Sequence, residues 1–443
     1  MLKKVKTVAC AMSGGVDSSV SAYLLKKKGY LVKGVFMTNW DPLDEGLSCS
    51  TNNDREDARR VCEHLKIPFF ELNFVREYWQ FVFEPLIQYY GLGATPNPDV
   101  LCNRFVKFNL LLKSCLRGPE SSIGRHVADI EADAIATGHY CQNSLGNFLE
   151  NPSNCEAKLL RSADPVKDQT FWLSTISHKS LRYCMFPVGN LRKPTVKQIA
   201  AEIGLQSIAT RRESMGMCFI GKRRFSDFID SYIEPKSGLF KELETGIVLD
   251  EHRGVHHFTL GQRAPITLAT GPFYVSGLDP ISQTVYVVHD KRHPSLFMRR
   301  CWTGPVVWIN SFKPTLPTDC VQFQWQNKWR PVNCQISPFN TVQEAADAAS
   351  TACTRTVIRP VKGDHLSAIM PEEVSEVDRN TGPCLVIDLA EPMRCVASGQ
   401  WAALYMGNCC VGGAMICGSI SLWHEGQNSP YTNWDYAKYE LHY

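Results

Sequence analysis

An apolar run from Val5 to Met12 breaks into Ser13-Gly14-Gly15-Val16-Asp17-Ser18-Ser19 and restarts as a helix-like run from Val20 to Lys28. Val16, Val20, Tyr23 and Leu24 fall on one helical face, and Gly29 is placed to close the helix. Leu31 to Thr38 is the next apolar strand, which completes a β-α-β unit. A helix is predicted from Asn53 to Leu65, with Ala58, Val61, Cys62 and Leu65 on one side, and a strand from Ile67 to Phe74. Helical stretches follow from Arg76 to Tyr90 and from Arg104 to Leu116, then a strand from Ala132 to Thr137 that stops at Gly138-His139-Tyr140. Between Leu181 and Gly204, Pro194-Thr195 starts a helix whose inner face is Val196, Ile199, Ala200 and Ile203. Strands alternating with helices imply a doubly wound parallel sheet whose ligands lie beyond the carboxyl ends of its strands. Ser13, Met37 and Gly138 all fall at such ends.

The texture changes from about Gly246 to short alternating segments with frequent turns, among them Val285 to Val288, Val306 to Ile309 and Val321 to Trp325. Leu385 to Leu389 and Trp401 to Tyr405 continue the pattern of small antiparallel β modules, a barrel or a sandwich. The polar stretches 116–131 and 143–157 read as surface loops. This divides the chain into an α/β unit over 1–205, a central domain over 206–300 and a C-terminal β domain over 301–420. Residues from about Ser419 are expected to be peripheral, with a tail over 421–443.

A length of 443 residues suits two or three domains, and a net charge of +3 confines any nucleic-acid surface to local patches. The 18 cysteines contain no C-x-x-C pair, and the adjacent Cys409-Cys410 is the closest spacing. A zinc ribbon or locally ligated iron–sulfur cluster is therefore not expected, and scattered, mostly buried thiols suit a reducing compartment. The basic residues at the start run straight into the first strand, so their removal would cut into the fold. No run approaches the ~18 apolar residues of a membrane span.

The loop after the first strand points backbone N–H groups and a helix N-terminus at one spot, as a phosphate requires. Gly14 and Gly15 allow close approach, Ser13, Ser18 and Ser19 can add hydroxyls, and Asp17 calls for a cation, Mg²⁺, between itself and the phosphates. A Walker loop needs a lysine after its last glycine, and there is none. The pattern resembles the SGGxDSS loop of the PP-loop ATP pyrophosphatases, which cleave ATP between the α and β phosphates to activate an oxygen.

Two cysteines sit in distinctive settings. Cys102 ends the stretch Thr95 to Asn103, where Pro96 and Pro98 hold an extended loop before a helix start. A helix start favours the nucleophilic thiolate, with Asp99 placed to handle a proton, although a thiol packed under the loop fits the local sequence equally well. Cys218 lies in the apolar stretch Ser214 to Gly221, flanked by Arg211, Arg212, Lys222, Arg223 and Arg224 against Glu213. That field suits a persulfide or a phosphodiester backbone; a solvated rim around a buried cysteine is the equal alternative.

Together these motifs resemble the tRNA-specific 2-thiouridylases over roughly residues 5 to 405. Further matches are Gly34 to Trp40, Ala136 to Tyr140, Lys167 to Phe171, Phe219 to Arg223 and Thr259 to Arg263, and the stretch Asp290 to Ile309 looks like the mitochondrial branch. The resemblance implies a Rossmann-like PP-loop sheet followed by smaller, mainly β domains including a C-terminal β-barrel. It implies MgATP held by Ala11, Met12, Ser13, Gly14, Gly15, Val16, Asp17 and Ser18, with the adenine near Met37 and Gly138.

The implied chemistry adenylates the C2 oxygen of a wobble uridine. Cys218 carries a persulfide, and Cys102 attacks it or pairs with it, while Asp99 moves the proton. Asn97, Pro98 and Asp99 frame the flipped base, and His139, Lys167, Asp168, Gln169 and Gln400 touch the tRNA. Implied partners are tRNAs of lysine, glutamate and glutamine type and a cysteine desulfurase or persulfide relay, in mitochondria, with the cytoplasm as the alternative location. Where the family places arginines in an R-aromatic-R strand, this chain has Gln322 to Gln326, and Ala264 to Thr267 replaces a glycine-rich sequence. The competing readings are another PP-loop ligase or amidotransferase, and a tRNA-binding relative without turnover.

Overall fold

The computed structural model describes residues 5–40, 50–117, 130–151, 156–211, 223–268, 271–310, 313–339 and 381–433, with positions 435, 438, 440 and 441. Its first unit is a five-stranded parallel sheet in the order β3-β2-β1-β4-β7, formed by Thr7–Met12 (β1), Leu31–Thr38 (β2), Phe69–Asn73 (β3), Ala134–Ala136 (β4) and Cys184–Met185 (β7). β1 is apolar at almost every position because both its faces are covered. Val8, Cys10 and Met12 enter one cluster with the helices Val16–Lys27 (α1) and Ser50–His64 (α2), while Ala9 turns to the opposite cluster.

That opposite face is covered by two long helices. α3 (residues 75–91) passes through a π-helical turn at Trp79–Phe83, and α4 (residues 98–115) passes through one at Cys102–Leu111. The predicted start at Arg104 is therefore late: Pro98 occupies the first helical position and the Cys102 stretch is already helical. Lys193–Glu202 (α5) packs Val196 and Ala200 against the first cluster.

Phe225–Ile229 (α6) precedes a four-stranded sheet in the order β10-β11-β8-β9, with Gly238–Glu242 (β8), Val248–His252 (β9), Tyr274–Asp279 (β10) and Thr284–Val288 (β11). It begins before Gly246, and its β8–β11 pair is parallel rather than antiparallel. The last unit is a barrel of six strands: Phe297–Trp308 (β12), Thr318–Gln324 (β13), Val332–Phe339 (β14), Thr381–Arg394 (β15), Trp401–Met406 (β16) and Cys409–Ser421 (β17), closed by the β12–β17 pairing. β17 runs through the region expected to be peripheral: Ser419 and Ser421 are buried and Leu422 belongs to the barrel core.

β16 shows how the barrel is joined to the first unit. Ala402 and Leu404 face the barrel interior, whereas Trp401, Ala403 and Tyr405 enter the same cluster as α3 and α4. The hairpin of Gln142–Asn143 (β5) and Leu159–Leu160 (β6) extends the barrel sheet through Leu159 and Leu160 beside Cys410 and Cys409. Among the described residues, no helix is long and apolar enough to cross a membrane.

Candidate active site

Beyond Met12 the chain turns at Gly14, whose φ is +74° and whose added Cβ would lie 2.4 Å from the Asp54 carbonyl oxygen. The space a side chain would need is filled by the Asp54 backbone, so Gly14 is buried and α2 closes tightly on the loop. Gly15 caps α1 in an extended conformation with no side-chain hydrogen bond to the cap, which leaves the N-terminal turn to a ligand. Ser13 is exposed, but Ser18 and Ser19 turn inward: their hydroxyls donate to the Gly15 carbonyl at 3.0 and 2.8 Å, and Ser18 Oγ accepts the Ser13 N–H at 3.2 Å. These two hydroxyls shape the loop. Val16 and Met12 are buried beneath it, Ala11 and Met37 are half-buried at the strand ends, and an added Cβ on Gly138 would meet Ser18 N at 2.7 Å.

Asp17 has acquired partners that local sequence does not indicate. Lys193 Nζ donates to both carboxylate oxygens, at 2.8 Å to Oδ1 and 2.7 Å to Oδ2, and the Tyr140 hydroxyl donates to Oδ1 at 2.8 Å. Lys193 opens α5, its backbone N–H anchored on Asp164 Oδ2 at 2.9 Å, and its side chain is 9% exposed against 29% for Asp17. Tyr140 is held in turn by Gln169, whose Oε1 accepts the Tyr140 N–H at 2.9 Å while the Gln169 N–H donates to the Tyr140 carbonyl at 2.8 Å. The positive charge expected beside Asp17 is thus partly supplied by an ammonium group. Of about four lone-pair directions on a carboxylate, one on Oδ2 remains, enough for a monodentate Mg²⁺.

The second centre is the loop into α4. Asn97 Oδ1 caps the helix by accepting the Asp99 N–H at 3.1 Å, Pro98 follows, and Cys102 lies buried one turn later. Asp99 is exposed at the rim, yet the protein atoms crowded around it raise its carboxyl above the usual range, opposed by the Lys107 ammonium. Burial and the same ammonium push His139 well below the usual imidazole range, so it is neutral; Thr137 Oγ1 lies 2.8 Å from its Nδ1 and Phe108 packs on its ring. Lys107 therefore links Asp99 and His139 electrostatically.

Both later domains grip the residue that begins this loop. Thr95 Oγ1 lies 2.6 Å from Thr259 Oγ1 of the central domain, its N–H donates to the Ser398 carbonyl at 2.9 Å, and Gln400 Nε2 donates to its carbonyl at 3.0 Å. Gln400 is thus a fastener between the barrel and the Cys102 loop. Asp168 is buried, paired with Arg161 at 2.9 Å and bonded to Thr170, and burial raises its carboxyl. Arg161 stacks 3.8 Å from the Tyr405 ring, so Asp168 also serves the barrel junction, while the Lys167 N–H donates to Asp164.

Cys218 lies outside the described residues, as do its neighbours Arg212 and Lys222. Arg211, the last described residue before it, is paired with Asp54 and Asp57 at 2.6 Å each, beside the close approach of Gly14. Arg223, the first after it, stacks on Phe228. Two cations of the expected field are therefore engaged, one by carboxylates and one by a ring. Among the described cysteines only Cys320 is exposed and Cys409 half-buried, as expected of small apolar residues.

Sequence reasoning missed Lys193 and Lys107. Lys193 stands directly before Pro194, where the helix start was legible and its partner was not; Lys107 carried no local signal.

Three family descriptions match the chain: the tRNA methyl transferase HUP domain over residues 6–222, the tRNA methyl transferase PRC-barrel domain over 226–289 and the aminomethyltransferase beta-barrel domain over 369–416. The mitochondrial tRNA-specific 2-thiouridylase 1 of Drosophila melanogaster is 38% identical, over 93% of this chain and 94% of its own. The human protein of that name is 36% identical over 94% and 91% of the two chains. The tRNA-specific 2-thiouridylase MnmA of Chlamydia pneumoniae is 34% identical over 93% and 97%. The likeness runs through the nucleotide loop, the Cys102 loop and the barrel together, and the chain belongs to the tRNA-specific 2-thiouridylase family.

Proposed function

We propose that the chain is an ATP-dependent tRNA-uridine 2-sulfurtransferase that replaces the C2 oxygen of a wobble uridine with sulfur. The observation that carries this reading is the pairing of Asp17 with Lys193 and Tyr140 in the N-terminal turn of α1, which no side chain caps. In the first step the uridine C2 oxygen attacks the α-phosphorus; an O–P bond forms, the bond to the β-phosphate bridge breaks and pyrophosphate leaves. Lys193 stabilises the charge gathering on the phosphates, and the N-terminal turn of α1 faces the same charge. Mg²⁺, held through Asp17, would supply further charge neutralisation when it arrives with ATP.

In the second step the terminal sulfur of a Cys218 persulfide attacks C2 and AMP departs. The Cys102 thiolate then attacks the Cys218 sulfur, breaking the S–S bond, so the nucleobase keeps the sulfur and the two cysteines leave as a disulfide. A thiol reductant restores them. Asp99, its carboxyl raised toward neutrality by its crowded setting, takes up and returns the proton beside Cys102. Neutral His139 and Lys107 line the same region, and Asn97 and Pro98 frame the flipped base. A tRNA substrate and a mitochondrial location are supported by the names of the relatives; the choice of lysine-, glutamate- and glutamine-type tRNAs and a desulfurase-derived persulfide donor are carried over from the family resemblance alone.

The test is mass spectrometry of anticodon nucleosides after incubating the protein with unmodified tRNA, ATP, Mg²⁺ and a persulfide donor. Wild type is expected to add one sulfur to the wobble uridine with AMP formed, Asp17→Ala to form no AMP, and Cys218→Ala to form AMP without thiolation. AMP without thiolated base in wild type, with persulfide or with sulfide, would mean that the loop serves another acceptor.

A further inference from the structure

Outside the catalytic region, one junction gathers three ligating side chains. α6 buries Phe228 and Ile229 in the cluster that holds Trp40, Phe83 and Tyr90 of the first unit. The next residue, Asp230, caps the C-terminal end of that helix. From the other side, the turn Val255–His257 seats Val255 in the core of the central sheet and aims both of its imidazoles at Asp230. His256 Nε2 lies 2.9 Å and His257 Nε2 2.6 Å from the same oxygen, Asp230 Oδ1.

The backbone is shaped for this convergence. His256 is 4% exposed, and its ring folds back over Gly254, where an added Cβ would lie 2.4 Å from Cε1. Any side chain at 254 would push the ring off Asp230. The three donor atoms lie within 4.8 Å of one another, and the His257 and Asp230 side chains keep 13% and 18% exposure, an opening to solvent. Two imidazoles and one carboxylate are a set that zinc-class cations favour. Tetrahedral bonds of about 2.0–2.2 Å to a shared cation hold ligand atoms about 3.3–3.6 Å apart, so on binding each imidazole draws back from Asp230 Oδ1 by roughly 0.4–1 Å from these contacts.

We propose that Asp230, His256 and His257 bind a divalent transition-metal ion of the zinc class, which clips α6, whose Phe228 and Ile229 are buried against the first unit, to the sheet of the central domain. Three protein ligands leave a fourth position for water. The clip closes just after the segment 212–222 that carries Cys218, so an ion there fixes one end of that segment. In the competing arrangement both imidazoles donate N–H bonds to the carboxylate and no ion is needed.

The experiment uses the full chain, stripped with EDTA, desalted and titrated with Co²⁺. Wild type is expected to take up one equivalent with the visible bands of a nitrogen- and oxygen-ligated ion and without the near-ultraviolet thiolate band that cysteine ligation produces. Asp230→Asn and His257→Gln should each weaken binding by more than the roughly tenfold lost when even a partner behind a ligand is changed. Gly254→Ala, which keeps all three ligands but displaces His256, should weaken it as well, and a Cys102→Ala, Cys218→Ala double variant should not. Zn²⁺ should raise the melting temperature of wild type and leave that of a folded His257→Gln variant unmoved. No Co²⁺ spectrum in wild type, a thiolate-type spectrum, or uptake unchanged in Asp230→Asn and His257→Gln would overturn the proposal.

Discussion

Replacing Lys193 by methionine separates what the Asp17 pair does for the fold from what it does for ATP. Methionine keeps the length of the stem and removes the ammonium that lies 2.7 and 2.8 Å from the two Asp17 oxygens. Stranding a fully buried carboxylate costs about 3–5 kcal/mol. With Asp17 29% exposed and still bonded to Tyr140, water recovers part of that, and a loss of about 2 kcal/mol is expected. The loss of a positioned cation at the phosphates should lower AMP formation by about 10²–10³-fold. Asp17→Asn in the Lys193→Met background removes the stranded charge, so stability should largely return while activity stays low. Urea unfolding followed by tryptophan fluorescence reads the first quantity, and AMP release from labelled ATP with tRNA reads the second. Lys193→Met turnover within about threefold of wild type would refute the role given to Lys193, since the charge effect invoked is far larger.

Three further outcomes follow from single positions. Gly14→Ala forces a Cβ into the Asp54 carbonyl at a φ of +74°, and should weaken ATP binding measured by calorimetry and lower stability by more than the about 1–2 kcal/mol of left-handed strain, because the Asp54 backbone must shift to admit it. Gly399→Ala, at φ +87° and with its Cβ 2.9 Å from Thr95 N, should shift the loop that leads to Cys102. Thiolation should therefore fall more than ATP binding. His252 is buried between Phe240 and Phe258, and burial lowers its imidazole to about 4. Its unfolded form takes up a proton near pH 6.5, so between about pH 6.5 and 4 the unfolded chain binds more protons and stability falls as the pH falls. The contribution is complete above about pH 6.5 and about 2 kcal/mol of it is lost by pH 5. His252→Phe should flatten that part of the urea-midpoint profile, and an unchanged slope would show that His252 does not carry it.

Periodicity carried the first unit well because its inner strands are covered on both faces and each helix on one. Val8, Cys10 and Met12 alternate with Ala9 across β1, and a run so continuously apolar has few other uses. The barrel strands were legible as alternation, but closure depends on Met298 meeting Ser421, and parallel pairing of β8 with β11 on Leu239 meeting Thr284. Neither pairing leaves a mark in local composition. The same limit applies at the site. Asp17, Asp99 and Cys102 stand in motifs and could be read where they stand, whereas Lys193 finds Asp17 from 176 positions away and looks from the sequence like an ordinary residue before a proline. Gln169, Asp168 and Gln400 were legible as residues of interest, but the direction of their side chains was not. Each turns toward protein: onto Tyr140, Arg161 and Thr95 respectively.

Those inward-turned groups explain why the β domains matter to a reaction whose nucleotide site they do not form. The ATP loop is shaped almost entirely by its own serines and by α2 and α5. The Cys102 loop has no such independence: Thr95 is bonded to Thr259, to Ser398 and to Gln400, from both later domains. β16 then buries Trp401, Ala403 and Tyr405 against the helices that hold Cys102. A tRNA that moved either β domain would therefore move Cys102, the proposed nucleophile, relative to the glycine loop, although it touched neither. In this architecture the proposed adenylation needs only the first unit's loop, and the proposed sulfur delivery depends on the assembled chain.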